Sequence, residues 1–213
     1  MISIKKFVFS PFYENTYLIY SGSDCWIIDP GCFDASEQSE LQGYIKNQKL
    51  KPKRLINTHC HIDHVFGNAF VHRTYGLKPM YHALEEQTLK LAAPSAMMYG
   101  INDYEPSPTA ETYLEEGDVL KIDGKPFEVI FVPGHAPGHI ALISHEMKWV
   151  IGGDVLFEGS IGRTDLPGGD FDTLIGSIKS KLLTLPDDYL VFCGHGNETT
   201  IGRERQTNPF LIN

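Results

Sequence analysis

The stretch Thr58-His59-Cys60-His61-Ile62-Asp63-His64 decides how this chain reads. It follows Arg54-Leu55-Ile56, an apolar run that predicts a strand ending where the histidines begin. In extended backbone alternate side chains share a face, so His59 and His61 project together and Cys60 points away. Asp63 and His64 are adjacent, so the chain must turn there and enter a helix. The motif therefore splits into two ligand pairs, His59 with His61 and Asp63 with His64.

Three more donors lie further along: His135 in Pro133-Gly134-His135, Asp154 in Gly152-Gly153-Asp154, and His195 in Cys193-Gly194-His195-Gly196. Each stands at the end of an apolar run, where a strand stops and a loop can present a ligand from a rigid scaffold. His135 completes the first pair with a third imidazole, and His195 plays the matching part for the second. Asp154 is the natural bridge, because one carboxylate reaches two cations with its two oxygens. Each metal keeps an open position, the arrangement of a catalytic rather than a structural site. Two such cations share a hydroxide and polarise a carbonyl or phosphoryl oxygen. His72, His82 and His145 stand alone and read as ordinary surface or core histidines. Cys60 reads as a packed thiol, and His139 as a hydrogen-bonding group that orients a ligand or its loop.

A chain of 213 residues fits one domain, here 1–213, or at most two small ones. A hydrophobic content of 42% is enough for a full core. The formal net charge of −9 argues against nucleic acid and anionic membrane as partners. Cys25, Cys32, Cys60 and Cys193 form no CxxC pair and no disulfide framework. The amino terminus lacks a signal peptide, and no apolar run approaches the ~20 residues of a membrane span. These features predict a cytoplasmic protein with reduced thiols; a small-molecule substrate and a monomer or small homo-oligomer are the expected partners and state.

Residues 2–9, 15–20 and 24–29 predict short strands, and Asp34 with Glu37 predicts a helix start. Strand 53–57 precedes the histidine cluster. A helix over 65–75, a strand at 78–81 and a helix over 84–91 come next. Residues 93–110, with Pro94, Pro106 and Pro108, read as a long surface loop: a binding lid or an insertion without a role. Strands follow near 119–122, 126–132, 139–144 and 148–152, then a helix capped by Asp170 and a strand at 189–193. Strands alternating with helices predict sheets covered by helices, a layered α/β sandwich.

THCHIDH, PGHAPGH, GGD and GHG, in this order, resemble the metallo-β-lactamase superfamily over nearly the whole chain. The resemblance implies a four-layer αβ/βα sandwich with a dimetal site at one edge. Within that superfamily the chain most resembles the glyoxalase II group, the hydroxyacylglutathione hydrolases. Those enzymes cleave thioesters such as S-lactoylglutathione by attack of a metal-bridging hydroxide. The implied metal ligands are His59, His61, Asp63, His64, His135, Asp154 and His195, with Asp63, His64 and Asp154 in catalysis. The implied cofactors are two divalent ions, zinc first, with iron and manganese suited to the same ligands. Residues 157–165 and 200–210 look like the short, single-domain branch of the group. Arg163 lies where such enzymes place a substrate-binding cation, with Asp165 in place of the tyrosine two residues on. Longer members carry a carboxy-terminal helical domain that grips glutathione. The chain ends at Asn213, so that domain is not expected.

The ligand choices separate the chain from relatives. Antibiotic-degrading members typically lack a histidine after the motif aspartate and often have cysteine at the position of Asp154. Flavodiiron-type members carry glutamate at the position of His61, and nuclease members add large domains. Three other functions stay open: a mononuclear-iron persulfide dioxygenase using the His59, His135 and Asp154 equivalents, a lactonase, and a non-catalytic metal-binding protein.

Overall fold

Strand pairing in the first thirty residues sets the frame of the amino-terminal half. The computed structural model describes residues 1–212, which divide into two compact units, one of residues 1–113 and one from Leu114 onward. In the first unit, β1 (Ser3–Phe9), β2 (Glu14–Ser21) and β3 (Asp24–Ile28) form an antiparallel meander. Helix α1 (Ala35–Asn47) then crosses to β4 (Lys51–Ile56), which pairs parallel with β3. Asp34 caps α1 by accepting from the Glu37 amide at 2.9 Å. The Glu37 carboxylate accepts from the amides of Phe33 (2.6 Å) and Ser10 (2.7 Å), and so ties the helix start to the β1–β2 turn.

After the histidine cluster come α2 (Ile62–Val65), α3 (Asn68–Tyr75), β5 (Pro79–Tyr81), α4 (Glu85–Met98) and β6 (Thr112–Tyr113). The sheet runs β1-β2-β3-β4-β5-β6, parallel from β3 onward. Two expectations need correction. The helix expected over 65–75 begins earlier, at Ile62, and breaks at Gly67. There the backbone passes against Pro30 and Cys32 so tightly that a Cβ would strike the Cys32 sulfur, and the Gly67 amide donates to Pro30 O at 2.7 Å. The helix expected to end at residue 91 continues to Met98 through Pro94. Its buried stripe Glu85, Thr88, Ala92 and Ala96 keeps helical spacing, and Pro94 faces solvent. Water can then satisfy the carbonyl that a proline ring leaves unbonded. The surface loop is therefore shorter than 93–110. It is also held down: Ile101, Tyr104 and Ala110 pack on the cluster of Cys60, Ile62, Val65 and Phe66, and Arg73 grips Glu105 with two hydrogen bonds.

The second unit holds β7 (Val119–Ile122), β8 (Lys125–Phe131), β9 (Ile140–Ser144), β10 (Trp149–Gly153), β11 (Leu156–Phe157), β12 (Ser160–Ile161), α5 (Phe171–Ser177), β13 (Leu190–Cys193), β14 (Thr199–Thr200) and α6 (Ile201–Thr207). Helix α5 starts at Asp170, whose side chain accepts from the Thr173 amide at 2.8 Å, and runs on as a π turn over 178–182. The large sheet has the order β14-β13-β10-β9-β8-β7. Strand β9 is antiparallel to both β8 and β10, and β13 is parallel to β10. Strands β8, β10 and β13 therefore point the same way, and the loops that follow them leave the sheet at one end. Ile130, Val132, Ala141, Val150, Leu174, Ile178 and Val191 fill this unit's core.

Among the described residues no helix is long and apolar enough to cross a membrane.

Candidate metal centre

In the first unit the donors follow from how β3 and β4 are registered. Ile28 lies opposite Ile56, and the Asp29 amide donates to Ile56 O at 2.9 Å. Because the two strands are parallel, Asp29 and Thr58 emerge side by side at the same sheet end. The Asp29 carboxylate accepts from the Thr58 amide (2.7 Å) and from the Thr58 hydroxyl (2.6 Å). Asp29 itself has φ 48°, a left-handed conformation that is unusual for a residue with a side chain.

This pairing fixes the tautomer of His59. The Thr58 hydroxyl spends its proton on Asp29, so at 3.1 Å from His59 Nδ1 it can only accept. Nδ1 of His59 is therefore the protonated nitrogen, and Nε2 carries the lone pair. His64 Nδ1 faces the Asp29 carboxylate at 3.3 Å and the Glu14 carboxylate at 3.9 Å. Its Nε2 lies 3.8 Å from Asp63 Oδ2. The rings of His59 and His64 are 4.1 Å apart and those of His59 and His61 4.9 Å. Donor atoms of Asp29, His59 and His64 all lie within 4.8 Å of one another. His59 and His64 are fully buried. Cys60 is buried too and turned into the apolar cluster, as its place in the alternation predicts.

Several supporting groups lie outside any sequence motif. Glu14 is fully buried beside His64, and burial holds its carboxyl well above the usual carboxylate range, with His64 partly offsetting this. Its Oε2 accepts from the Thr16 hydroxyl at 2.8 Å. Gly31 packs so closely on that carboxylate that a Cβ there would collide with it. Buried Glu85, at the start of α4, accepts from the Cys60 amide at 2.7 Å and so pins the backbone between His59 and His61. Asn57 Nδ2 donates to His64 O at 2.8 Å, Asn68 Nδ2 donates to Asn57 Oδ1 at 2.9 Å, and Asn68 also donates to the Ser107 hydroxyl at 2.9 Å. That chain of hydrogen bonds joins the 99–111 loop to the ligand motif. None of Glu14, Asp29 and Glu85 has a spacing that marks it in the sequence.

In the second unit His135, Asp154 and His195 sit on the loops after β8, β10 and β13 and come together at one sheet end. Nε2 of His135 and Nε2 of His195 each lie 3.5 Å from Asp154 Oδ2. His135 Nδ1 lies 2.7 Å from the carbonyl of Arg163. A carbonyl only accepts, so Nδ1 carries the proton and Nε2 presents a lone pair to the carboxylate. Two basic atoms facing each other in this way repel unless a cation or a proton lies between them. His139 has the opposite tautomer: its Nε2 accepts from the Asp154 amide at 3.0 Å and fixes the backbone that carries the carboxylate. Gly162 lies against Asp154 O and the His135 ring so closely that a Cβ would overlap the carbonyl.

Both donor sets fit divalent metals. Each brings imidazole nitrogens and a carboxylate together, and Nδ1 of His59 and of His135 is held by a protein oxygen, the usual outer support of a metal ligand. The sequence placed Arg163 near the site. Its backbone is one hydrogen bond from His135, and its guanidinium forms a forked pair with Asp165, both contacts at 2.7 Å.

A family model described as "Metallo-beta-lactamase superfamily" matches residues 10–195. The chain is 40% identical over 210 residues to a Haemophilus influenzae protein named hydroxyacylglutathione hydrolase GloC, covering 94% of this chain and 93% of that one. Among solved structures it is similar to TTHA1623 in a di-iron-bound form, with a TM-score of 0.87, 37% identity and coverage of 97% and 100%. It is also similar to the BLEG-1 B3 metallo-β-lactamase, with a TM-score of 0.88, 34% identity and coverage of 99% and 100%.

Proposed function

The chain belongs to the metallo-β-lactamase superfamily, whose fold it shares and whose members include metal-dependent hydrolases of small molecules, and from that premise we propose that it hydrolyses a thioester such as S-lactoylglutathione. The observation that carries this reading is the 40% identity, over nearly the full length of both chains, to a protein named as a hydroxyacylglutathione hydrolase. We read 1–213 as one hydrolase domain. Seven donors would hold the metals: His59, His61 and His135 one ion, Asp63, His64 and His195 the other, with Asp154 as the carboxylate common to both. Zinc is the first candidate. The relative solved with two irons supports iron as well, and imidazole with carboxylate suits either.

Bound divalent metals would bring the pKa of a water molecule to near ~7 and polarise the thioester carbonyl. The chain's own groups supply the rest. The Asp29 carboxylate stands 3.3 Å from Nδ1 of His64, and Thr58 holds the proton on Nδ1 of His59, so that ring offers Nε2. Arg163 O does the same for His135. Asp63, whose Oδ2 lies 3.8 Å from Nε2 of His64, would help hold a metal there and orient the attacking water. His139 fixes the backbone of Asp154. The four free cysteines suit a reducing compartment, in line with a cytoplasmic enzyme acting alone or as a small homo-oligomer.

The test is steady-state hydrolysis of S-D-lactoylglutathione by protein loaded with zinc, iron or manganese. A kcat/KM within ~10⁴–10⁸ M⁻¹s⁻¹ upholds the proposal, and a value far below that range rejects this substrate. A second reading, β-lactam hydrolysis, is favoured by the likeness to BLEG-1. Turnover of a chromogenic cephalosporin in preference to thioesters would establish it.

A further inference from the structure

The loop over 162–170 is held at its backbone and presents one charged pair. The Gly162 amide donates to Val155 O (3.2 Å), Arg163 O accepts from His135, and the Asp170 amide donates to Gly134 O (2.8 Å). A Cβ on Gly168 would sit 2.8 Å from the Pro137 ring, and one on Gly169 would sit 2.5 Å from Thr164 O. Neither contact leaves room for the loop to slide. Arg163 is thereby fixed next to a ligand histidine, and its side chain is more than half exposed. A guanidinium in that position is the natural receptor for a substrate carboxylate, through two parallel N–H···O bonds. Here Nε–H and Nη2–H already donate to the two oxygens of Asp165, each at 2.7 Å. Asp165 is also exposed, so the pair stands open to solvent and to ligands.

We propose that Asp165 sets the charge selectivity of the site: it occupies the forked edge of Arg163 that a substrate carboxylate would take. This inference rests on reading Arg163 as facing the substrate of a thioesterase. Two effects act together. A carboxylate must displace Asp165 before it can pair with Arg163, and it meets the negative charge of Asp165 as it approaches. The chain's net charge of −9 adds to the second effect rather than relieving it. The site thus favours thioesters that are uncharged where they pass Arg163 over those that carry a carboxylate there. Asp165→Asn keeps the size of the side chain and one acceptor oxygen for the guanidinium but removes the competing charge.

The test measures binding, so it reads out whether or not the protein turns over. Isothermal titration calorimetry is run with S-methylglutathione, which carries two carboxylates and cannot be hydrolysed, on metal-loaded wild type, Asp165→Asn and Arg163→Gln/Asp165→Asn. The expected result is that D165N binds about fivefold more tightly than wild type, the size of one exposed charge interaction, and that the gain shrinks at high salt. In the double variant the gain disappears. The proposal is overturned if D165N binds no more tightly than wild type, if neither binds measurably, or if the gain survives loss of Arg163. Failure of wild type to hydrolyse S-D-lactoylglutathione would count against the thioesterase reading alone, because the three binding constants are compared independently of turnover.

Discussion

The carboxylate of Asp29 stands 3.3 Å from Nδ1 of His64 and also holds the amide and hydroxyl of Thr58. One side chain from the end of β3 therefore sets the ring orientation of two histidines carried by the loop after β4. Asp29→Asn keeps the volume and weakens the charge-assisted contacts. Partners of this kind typically contribute ~10–100-fold in metal affinity. We expect D29N to lose metal in competition with a chelator at that scale, measured by metal titration, with the fold intact by circular dichroism. Unchanged affinity would show that His64 is oriented by other groups.

Gly162 is required by space and not by backbone angle. A Cβ there would overlap Asp154 O and come within 3.1 Å of His135 Nδ1. Gly162→Ala must push the loop away from two candidate metal donors at once. Overpacking of this sort costs typically ~1–3 kcal/mol. Chemical denaturation should show a loss in that range, together with weaker metal retention. A G162A protein with wild-type stability and metal content would contradict the packing described.

Metal removal should lower stability as well as activity. A ligand present at about 1,000 times its Kd stabilises the folded state by about 4 kcal/mol. For a chain of this size that corresponds to a fall in Tm of roughly 8–16 °C on chelation. Calorimetric scans of the metal-loaded and chelated protein test this, and re-addition of zinc or iron should restore the higher transition. Coincident transitions would mean that the donor sets hold no metal in solution.

The four cysteines should be silent toward thiol reagents in the folded protein. All are buried, and burial pushes the Cys25 thiol from 9 to about 12 and the Cys60 and Cys32 thiols upward as well. The folded-state values lie above those of the unfolded chain. Stability is therefore intact below pH about 9 and declines as pH rises toward 12, because only the unfolded chain can ionise its thiols there. A chromogenic disulfide should count no thiols at pH 7 and four after denaturation. Rapid labelling of a native cysteine at pH 7 would refute the burial.

The candidate donors were legible because they sit in short, dense motifs at strand ends. His59 to His64 lie in one turn of chain, and the loops bearing His135, Asp154 and His195 each follow an apolar run. The groups that tune those donors were not legible. Asp29 and Glu14 are isolated acids and Glu85 is one of an adjacent pair, and none belongs to a recognisable ligand motif. Asp29 reaches His64 only because β3 and β4 pair in parallel with Ile28 against Ile56, a register that local sequence does not encode. The same limit applies to helix ends. Pro94 reads as a breaker, and only the buried stripe on α4 shows that the helix continues past it. Gly67 interrupts a helical pattern because a neighbouring strand end needs the space, which no window of residues around it reveals.

The hydrogen-bond chain from Ser107 through Asn68 and Asn57 to His64 O has a practical consequence. A library diversified over 99–111 would look like a search for new substrates, but part of its variation would act on how firmly the ligand backbone is held. Variants scored only by turnover would then mix altered specificity with partial cofactor loss. Measuring cofactor occupancy alongside rate would sort the two, and the loop is best engineered with Ser107 left in place.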